Sequence, residues 1–392
     1  MADLKIFCEG LDGNALRQIQ SLACFEAYKD SKIRIMPDAH AGMGCTIGTT
    51  MTLTDKVTPN LVGVDIGCGM LVLELDRARV NPLDLEHAIE MYIPSGMNVR
   101  EKAISQTEEG MALVDALRCP SSGSREYNAL SVGTLGGGNH FIELDEDAKG
   151  NLYLVIHSGS RNLGKKVCDY YQHRAQKERF HAGEGEKAEL IARLKAEGRE
   201  KEIQRELKKL PSGIMESDPL AYLSGDSFED YIHDMDLCQR YAELNRRAMA
   251  NILCEKLGLS PVSVWQTIHN YIDLEHMILR KGAISAQKGE RVIIPMNMRD
   301  GSLICIGKGN PDWNYSAPHG AGRLLSRAEA NKQISLDEFK KDMDGIASWS
   351  VCASTLDEAP GAYKPMESIL SQVGPTVEVE NIIRPIYNYK AH

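Results

Sequence analysis

A chain of 392 residues is long enough for a sizeable core, and 43% hydrophobic with 26% charged residues is the composition of an ordinary globular protein. A net charge of −10 excludes a protein that coats nucleic acid through bulk charge, though not one with a local basic groove. No apolar run spans a bilayer, Met1-Ala-Asp-Leu-Lys-Ile-Phe-Cys8 carries no export signal, and ten scattered cysteines without a Cys-x-x-Cys pair read as reduced thiols, so a cytoplasmic protein without membrane contact is expected.

The first chemistry-bearing stretch, Arg34-Ile-Met-Pro-Asp-Ala-His-Ala-Gly-Met-Gly-Cys-Thr-Ile-Gly48, reads as strand, glycine-rich loop, strand. Asp38 and His40 share one face of an extended backbone, where the aspartate could fix the tautomer of a metal-bound histidine or merely cap a turn. Val62-Gly-Val-Asp-Ile-Gly-Cys-Gly-Met70 then sets an acid and a thiol, Asp65 and Cys68, among three glycines. A straight strand sends them to opposite faces. Glycine turns let both aim at one point, which makes half a metal site, against the alternative of a buried core cysteine. Residues 83–92 and 108–118 have helical spacing and read as packing.

Gly133-Thr-Leu-Gly-Gly-Gly-Asn-His-Phe-Ile-Glu-Leu144 exposes backbone N–H groups suited to an anion, yet has the spacing of neither a dinucleotide fingerprint nor a P-loop. On a strand, Asn139 and Glu143 share a face and His140 points away, so one segment serves two subsites, unless a glycine hairpin simply holds a core histidine. His157 ends an apolar run and leads into Ser158, Ser160 and Arg161, a phosphate-friendly set. The alternative is a strand-end histidine bonded to a nearby carbonyl.

From 165 to about 257 the sequence turns helical, in parts 176–210 and 229–257 separated by breaks at Pro211-Ser-Gly and Ser217-Asp-Pro. The excess of Lys and Arg in the first part suits either a nucleic-acid-facing arm or a solvated helix face. Strand-like sequence returns in Val262-Ser-Val-Trp-Gln-Thr-Ile-His-Asn-Tyr271, which puts His269 near a strand end, and in 277–286, 291–298 and 302–307. In Pro318-His-Gly-Ala-Gly-Arg-Leu-Leu-Ser-Arg327, His319 is expected to precede a helix start, with Arg323 one turn on; it caps that helix or attacks a phosphate held by its amides. Glu358-Ala-Pro-Gly-Ala-Tyr-Lys364 and Arg384-Pro-Ile-Tyr-Asn-Tyr-Lys390 either pack back on the body or fray. With no repeats and no low-complexity linker, the chain reads as one large domain with a helical insertion at about 165–257.

Asp65, Cys68, His140, His157 and His269 are too many ligands for one tetrahedral site and suit two metals that share the thiolate. Thiolate and imidazoles favour Zn²⁺, and the carboxylate leaves room for Mn²⁺. On the residues alone the reading stops at a dinuclear metal phosphoesterase or phosphotransferase.

Taken in order, these segments resemble the RtcB family of GTP-dependent RNA ligases. The likeness runs through Pro37-Asp-Ala-His-Ala-Gly-Met-Gly-Cys-Thr-Ile-Gly48, Val62–Met70, Gly133–Glu143, His157-Ser-Gly-Ser-Arg161, His269-Asn-Tyr271, Arg280-Lys-Gly-Ala-Ile-Ser-Ala286, His319-Gly-Ala-Gly-Arg323 and Ala359-Pro-Gly-Ala-Tyr-Lys364, and so covers nearly the whole chain. It implies an α+β fold, a single RtcB-like domain over 1–392 with mixed β-sheets flanked by helices. The implied reaction joins RNA 3′-phosphate or 2′,3′-cyclic phosphate ends to 5′-hydroxyl ends, in tRNA splicing or RNA repair. Two Mn²⁺ would be held by Asp65, Cys68, His140, His157 and His269, with Cys68 bridging. His319 would take GMP from GTP and pass it to the RNA 3′-phosphate. The implied guanylate pocket uses Asn139, His140, Phe141, Ile142, Glu143, His269, Asn270, Pro295, Met296, Asn297, Met298, Ser302, His319, Gly320, Ala321, Gly322 and Lys390, with Glu143 and Lys390 reading the guanine edge. Arg161, Lys281 and Arg323 are the implied RNA-phosphate contacts.

The family has Pro-Gly-Ser-Met where this chain has Pro295-Met-Asn-Met298, so Met296 and Asn297 are expected to alter nucleotide contact. The chain is also short for the family, as a divergent branch would be. Two alternatives of other kinds remain open: a metal phosphoesterase that opens cyclic phosphates without ligating, and a non-catalytic RNA- or nucleotide-binding regulator. A monomer is expected, and a need for an activating protein partner is left open.

Overall fold

Seven strands form the sheet that carries the site, in the spatial order Arg291–Asn297, Gly301–Gly307, Val377–Tyr389, Phe141–Glu146, Leu152–Ser158, Gly69–Glu74 and Ser263–Ile268. Every neighbouring pair is antiparallel. The computed structural model describes residues 1–75, 79–120, 125–207 and 218–391. The expected break at Pro211-Ser-Gly lies outside these residues, as does the first residue of Ser217-Asp-Pro.

The sheet curls until its edge strands meet, with Ile293 N donating to Thr267 Oγ1 at 3.2 Å. Strand alternation sorts the side chains. Met70, Val72, Phe141, Tyr153, Val155, Ile293, Ile304 and Ile383 pack together on the inner side. Leu71, Leu73, Ile142, Leu144, Leu154 and Ile156 face out into a second cluster with residues of helices Pro82–Tyr92 and Asp226–Leu257. Val292, Ile294, Leu303 and Cys305 face a third cluster with helix Met366–Val373. These strands are apolar on both faces because both faces are covered.

A five-stranded sheet adjoins it, in the order Asp3–Ile6, Lys32–His40, Ile47–Thr52, Ile278–Lys281 and Asn270–Asp273. His269 alone separates Ser263–Ile268 of the first sheet from Asn270–Asp273 of the second. A short ladder, Ala283–Ser285 with Ser316–Pro318, ends directly before His319.

Helix Asp226–Leu257 buries Tyr231, Met235, Cys238, Tyr241, Leu244, Ala248 and Leu253 at helical spacing and closes on Gly258 in the left-handed conformation. The start of helix Arg161–Ala196 buries Leu163, Val167, Cys168, Tyr171 and Ala175. Further along, Arg174 pairs with Glu178 and Asp230, Arg199 with Glu197 and Glu202, and Arg179 lies over Tyr222 at 4.3 Å. These pairs match the solvated-face reading of the charged stretch. The near-terminal segments pack back: Val377–Tyr389 sits within the seven-stranded sheet, and Lys390 is 4% exposed. Among the described residues no helix is long and apolar enough to cross a membrane. The architecture is α+β, as expected.

Candidate metal centre and adjoining cavities

Four expected ligands hang from one end of four neighbouring strands. His140 immediately precedes Phe141–Glu146, His157 is next to last in Leu152–Ser158, Cys68 immediately precedes Gly69–Glu74, and His269 immediately follows Ser263–Ile268. The registers Phe141↔His157, Met70↔His157 and Gly69↔Ile268 align these ends. Asp65 joins them through a tight turn in which Cys68 N donates to Asp65 O at 3.2 Å and Gly67 takes φ 72°, a conformation that favours glycine.

Cys68 Sγ lies 3.4 Å from His140 Nε2 and 3.3 Å from His157 Nε2, and His140 Nε2 lies 2.9 Å from Asp65 Oδ2. Two donor sets result, Asp65–Cys68–His140 and Cys68–His157–His269, each with its ligand atoms within 4.8 Å of one another and both using the same sulfur. His140 Nδ1 donates to Leu135 O at 2.9 Å and His157 Nδ1 to Asn139 O at 3.1 Å, which fixes both tautomers with Nε2 free toward the sulfur. His269 Nδ1 and Asp65 Oδ1 are buried with no hydrogen-bond partner among the described residues, as atoms awaiting a cation would be.

The electrostatics fit metal binding. Burial, with His140 and Lys390 nearby, holds His157 well below the usual histidine value, and burial with His319 and His157 does the same to His269, so both are neutral. Burial pushes Asp65 up, but neighbouring His140 and the charge of Arg161 outweigh it, and the group stays a carboxylate. Burial and Asp65 drive the Cys68 thiol well above its usual value, so a bridging thiolate requires cations beside it. The donor set fits a pair of divalent metal ions.

Helix Asp226–Leu257 clamps the loops that carry these ligands. Asn245 Oδ1 accepts from Gly133 N at 2.8 Å and Thr134 N at 3.0 Å, and its Nδ2 donates to Gly159 O at 3.1 Å. Buried Arg246 donates to Gly67 O and Ser158 O, both at 2.8 Å. Neither residue carries a local sequence signal.

His319 Nδ1 lies 2.6 Å from Asp38 Oδ2, which also accepts from the His319 backbone N at 3.1 Å. The carboxylate expected to orient His40 therefore orients His319, and His40 Nδ1 instead meets the backbone O of Asp38 at 3.0 Å. The helix expected to start after His319 is also corrected. Residues 319–323 form an irregular turn in which Gly322 has φ 74° and leaves only 2.1 Å between an added Cβ and Asp38 O. The helix starts at Arg327, where Ser326 and Glu329 form a capping box.

A cavity of about 340 Å³ opens beside His319, His157 and His269, and Asn139, Phe141, Glu143, Pro295, Met296, Asn297, Met298, Gly320, Ala321, Gly322, Arg323, Asn388 and Lys390 are among its lining residues. Glu143 Oε2 accepts from Asn388 Nδ2 at 2.6 Å. Lys390 Nζ donates to Glu358 Oε2 at 2.7 Å, and Glu358 also accepts from Tyr363 at 2.8 Å and pairs with Arg327 at 2.7 Å. Met296 lines this cavity and also belongs to the third cluster, with Ala317, Ala321 and Met366. Asn297 closes its own turn, accepting from Arg299 N at 3.0 Å and Asp300 N at 2.9 Å.

A second cavity, of about 190 Å³, lies across His319 and His269 and is lined by Asn60, Asp65, Cys68, Asn270 and Lys281. Lys281 Nζ donates to Met43 O at 2.6 Å and Asn60 O at 2.9 Å. Arg323 is engaged by Tyr363, Glu358 and Asp357 O. Arg161 sits behind the metal set, bonded to Thr134 and Gly96 O, with its guanidinium 3.5 Å from His140 Nδ1. Ile142 faces the outer core, and Ser302 is buried on the strand behind the first cavity with its Oγ unpartnered among the described residues. Asp38, Glu358, Tyr363, Arg327 and Asn388 are the site residues not anticipated in these places. All five stand in noted segments, Asp38 in Arg34–Gly48, Arg327 at the end of Pro318–Arg327, Glu358 and Tyr363 in Glu358–Lys364 and Asn388 in Arg384–Lys390, but nothing local announces their partners.

The family described as tRNA-splicing ligase RtcB matches residues 18–119 and 100–391. The chain is 31% identical to the RNA-splicing ligase RtcB of Escherichia coli (strain K12), over 90% of this chain and 88% of that protein. It is 28% identical to the RNA-splicing ligase RtcB2 of Escherichia coli (strain ATCC 25922), over 86% and 81%. With the tRNA-splicing ligase RtcB of Aeropyrum pernix it shares 26% identity over 95% and 90%. A family match from residue 18 to residue 391, with a relative above 30% identity covered almost end to end, makes this chain a member of the RtcB family.

Proposed function

We propose that the chain is a metal- and GTP-dependent RNA ligase that joins a 3′-phosphate or 2′,3′-cyclic phosphate end to a 5′-hydroxyl end through a guanylylated His319. The single observation that carries this is the Asp38–His319 pair. With Nδ1–H donating to the carboxylate at 2.6 Å, the lone pair of a neutral imidazole sits on Nε2. His319 borders both cavities, and its ring centroid lies 5.0 Å from that of His269. The names of the relatives, RNA-splicing and tRNA-splicing ligases, support RNA as the substrate class.

Each residue then has a task. Glu143 accepts from the N–H edge of guanine and Lys390 donates to its carbonyl oxygen. Nε2 attacks the α-phosphorus of GTP; the new N–P bond forms as the bond to the bridging oxygen breaks, and pyrophosphate leaves. Asp38 holds the ring in line and balances the charge that develops on it. Two Mn²⁺ on the Asp65–Cys68–His140 and Cys68–His157–His269 sets would supply Lewis-acid neutralisation of phosphate charge. His319 next yields GMP to the RNA 3′-phosphate, and the 5′-hydroxyl displaces GMP to seal the strand. The cavity beside Lys281 and Asn270 is the space in which an RNA end meets His319.

The test is incubation with Mn²⁺ and GTP radiolabelled at the α-phosphate, followed by a denaturing gel. Label on the wild-type protein that disappears in His319→Ala is the expected result, and an unlabelled wild type overturns the proposal.

A further inference from the structure

Below Glu143 lies a second carboxyl that the reaction above does not use. Asp145 is two residues further along Phe141–Glu146 and so on the same inner face, 0% exposed beside Glu143 at 3%. Its register partners are Pro385 on one side and Tyr153 on the other, and the Tyr153 hydroxyl is turned to Asp147 at 3.3 Å. Val155, Ile304 and Ile383 belong to the apolar cluster that fills this inner side. No donor among the described residues reaches either Asp145 oxygen, and the one polar group within hydrogen-bonding reach is the Glu143 carboxyl. Glu143 itself has one neutral donor, Asn388 Nδ2 at 2.6 Å. The cation facing it, Lys390, is bound to Glu358 at 2.7 Å, and the further titratable groups that line this cavity include His157, His269, His319, Arg323, Arg327 and Glu358. Two carboxyls this close in an apolar setting do not both ionise; they share a proton.

We propose that Asp145 is a positioning residue for base recognition, which shares one proton with Glu143 so that Glu143 carries the charge and turns its remaining acceptor capacity to the N–H edge of a guanine-type base. The role rests on the guanylate reading of the pocket given above. Burial pushes Glu143 up to about 7 against the hydrogen bonds of Asp145 and Asn388 and the charge of Lys390, and burial with the Glu143 charge raises Asp145 further. The sign follows. Above this range the pair holds one proton and Glu143 accepts from the base; as pH falls through it, a second proton lands on Glu143 and the acceptor is lost. Affinity for the base then drops by up to about tenfold per pH unit. Asparagine at 145 keeps the shape and the donor, whereas leucine removes the donor that favours the Glu143 charge, so in Asp145→Leu the pH at which Glu143 ionises moves up.

The experiment measures GTP affinity by calorimetry on the Mn²⁺-loaded full chain at pH 6, 7 and 8, in a His319→Ala background that prevents covalent capture, alone and with Asp145→Asn or Asp145→Leu. The background protein and Asp145→Asn are expected to bind on the order of tenfold more weakly at pH 6 than at pH 8, and Asp145→Leu to bind severalfold more weakly than either at pH 7. All three carry the same metal ligands, so their own pH dependence cancels. Asp145→Leu binding as the background does at pH 7 overturns the inference, as does Asp145→Asn behaving like Asp145→Leu. If Asp145→Leu does not fold, the infrared difference spectrum of wild type decides: a protonated-carboxyl stretch that persists at pH 8 supports the pair and its absence overturns it. Failure of the background protein to bind GTP at pH 8 instead overturns the proposed function itself.

Discussion

On the metal wall, Cys68, His140, His157 and His269 take their places from the pairing of four adjacent strands, whereas the wall proposed to hold the base is drawn together by side chains far apart in sequence. Asp38 reaches His319, Glu143 reaches Asn388, and Glu358 reaches Lys390. Backbone registry fixes the first set, so its geometry survives many side-chain changes nearby. Single polar contacts fix the second, so one substitution there alters chemistry while leaving the fold intact.

That contrast is broken most severely at Cys68, the donor common to both sets. Cys68→Ala is expected to reduce metal content toward zero, read by elemental analysis, and to abolish labelling by GTP. Because the metal-free thiol is held well above its usual value, metal uptake at neutral pH should release a proton, and affinity should weaken as pH falls. Asp38→Asn comes next: metal content and circular dichroism stay as in wild type, while the guanylylation rate falls by about 10⁴-fold, as when a histidine loses the carboxylate that sets its tautomer. An unchanged rate would remove Asp38 from the chemistry. Arg246→Met tests the support behind the metal wall, with a loss of about 10- to 100-fold in metal affinity and no direct change at the nucleotide cavity. The smallest functional effect is expected for Met296→Ala. Stability should fall by about 2–3 kcal/mol in denaturant melts, with GTP affinity within about twofold of wild type, because that side chain is a member of the third cluster.

The two walls also differ in how far the sequence discloses them. Glycine-flanked and strand-end positions announce Asp65, Cys68, His140, His157 and His269, because a ligand at a strand terminus is a local property. The strands at 262–271, 277–286, 291–298 and 302–307 are equally legible from their β-rich runs. Asp38 is visible as a residue beside a histidine, but its true partner lies 281 positions away, and nothing local links them. The helix after His319 was placed too early although Ser326 and Glu329 spell its capping box in the sequence. Asn245 and Arg246 look like the solvated polar face of a long helix, and only the packing of that helix against the ligand loops turns them into clamps.

The strand Val377–Tyr389 lies between Gly301–Gly307 and Phe141–Glu146, although it is made after both. A nascent chain that has emerged only to residue 370 already contains His319 and every expected metal ligand, but it has neither Asn388 nor Lys390 to complete the cavity. Contacts that bridge 245 positions, as Asn388 and Glu143 do, form late, and until they do the two waiting strands present unpaired edges to their surroundings. Synthesis therefore delivers the proposed nucleophile before the residues proposed to choose its nucleotide, and a prematurely terminated chain is expected to be an aggregation-prone product for proteolysis rather than an indiscriminate enzyme.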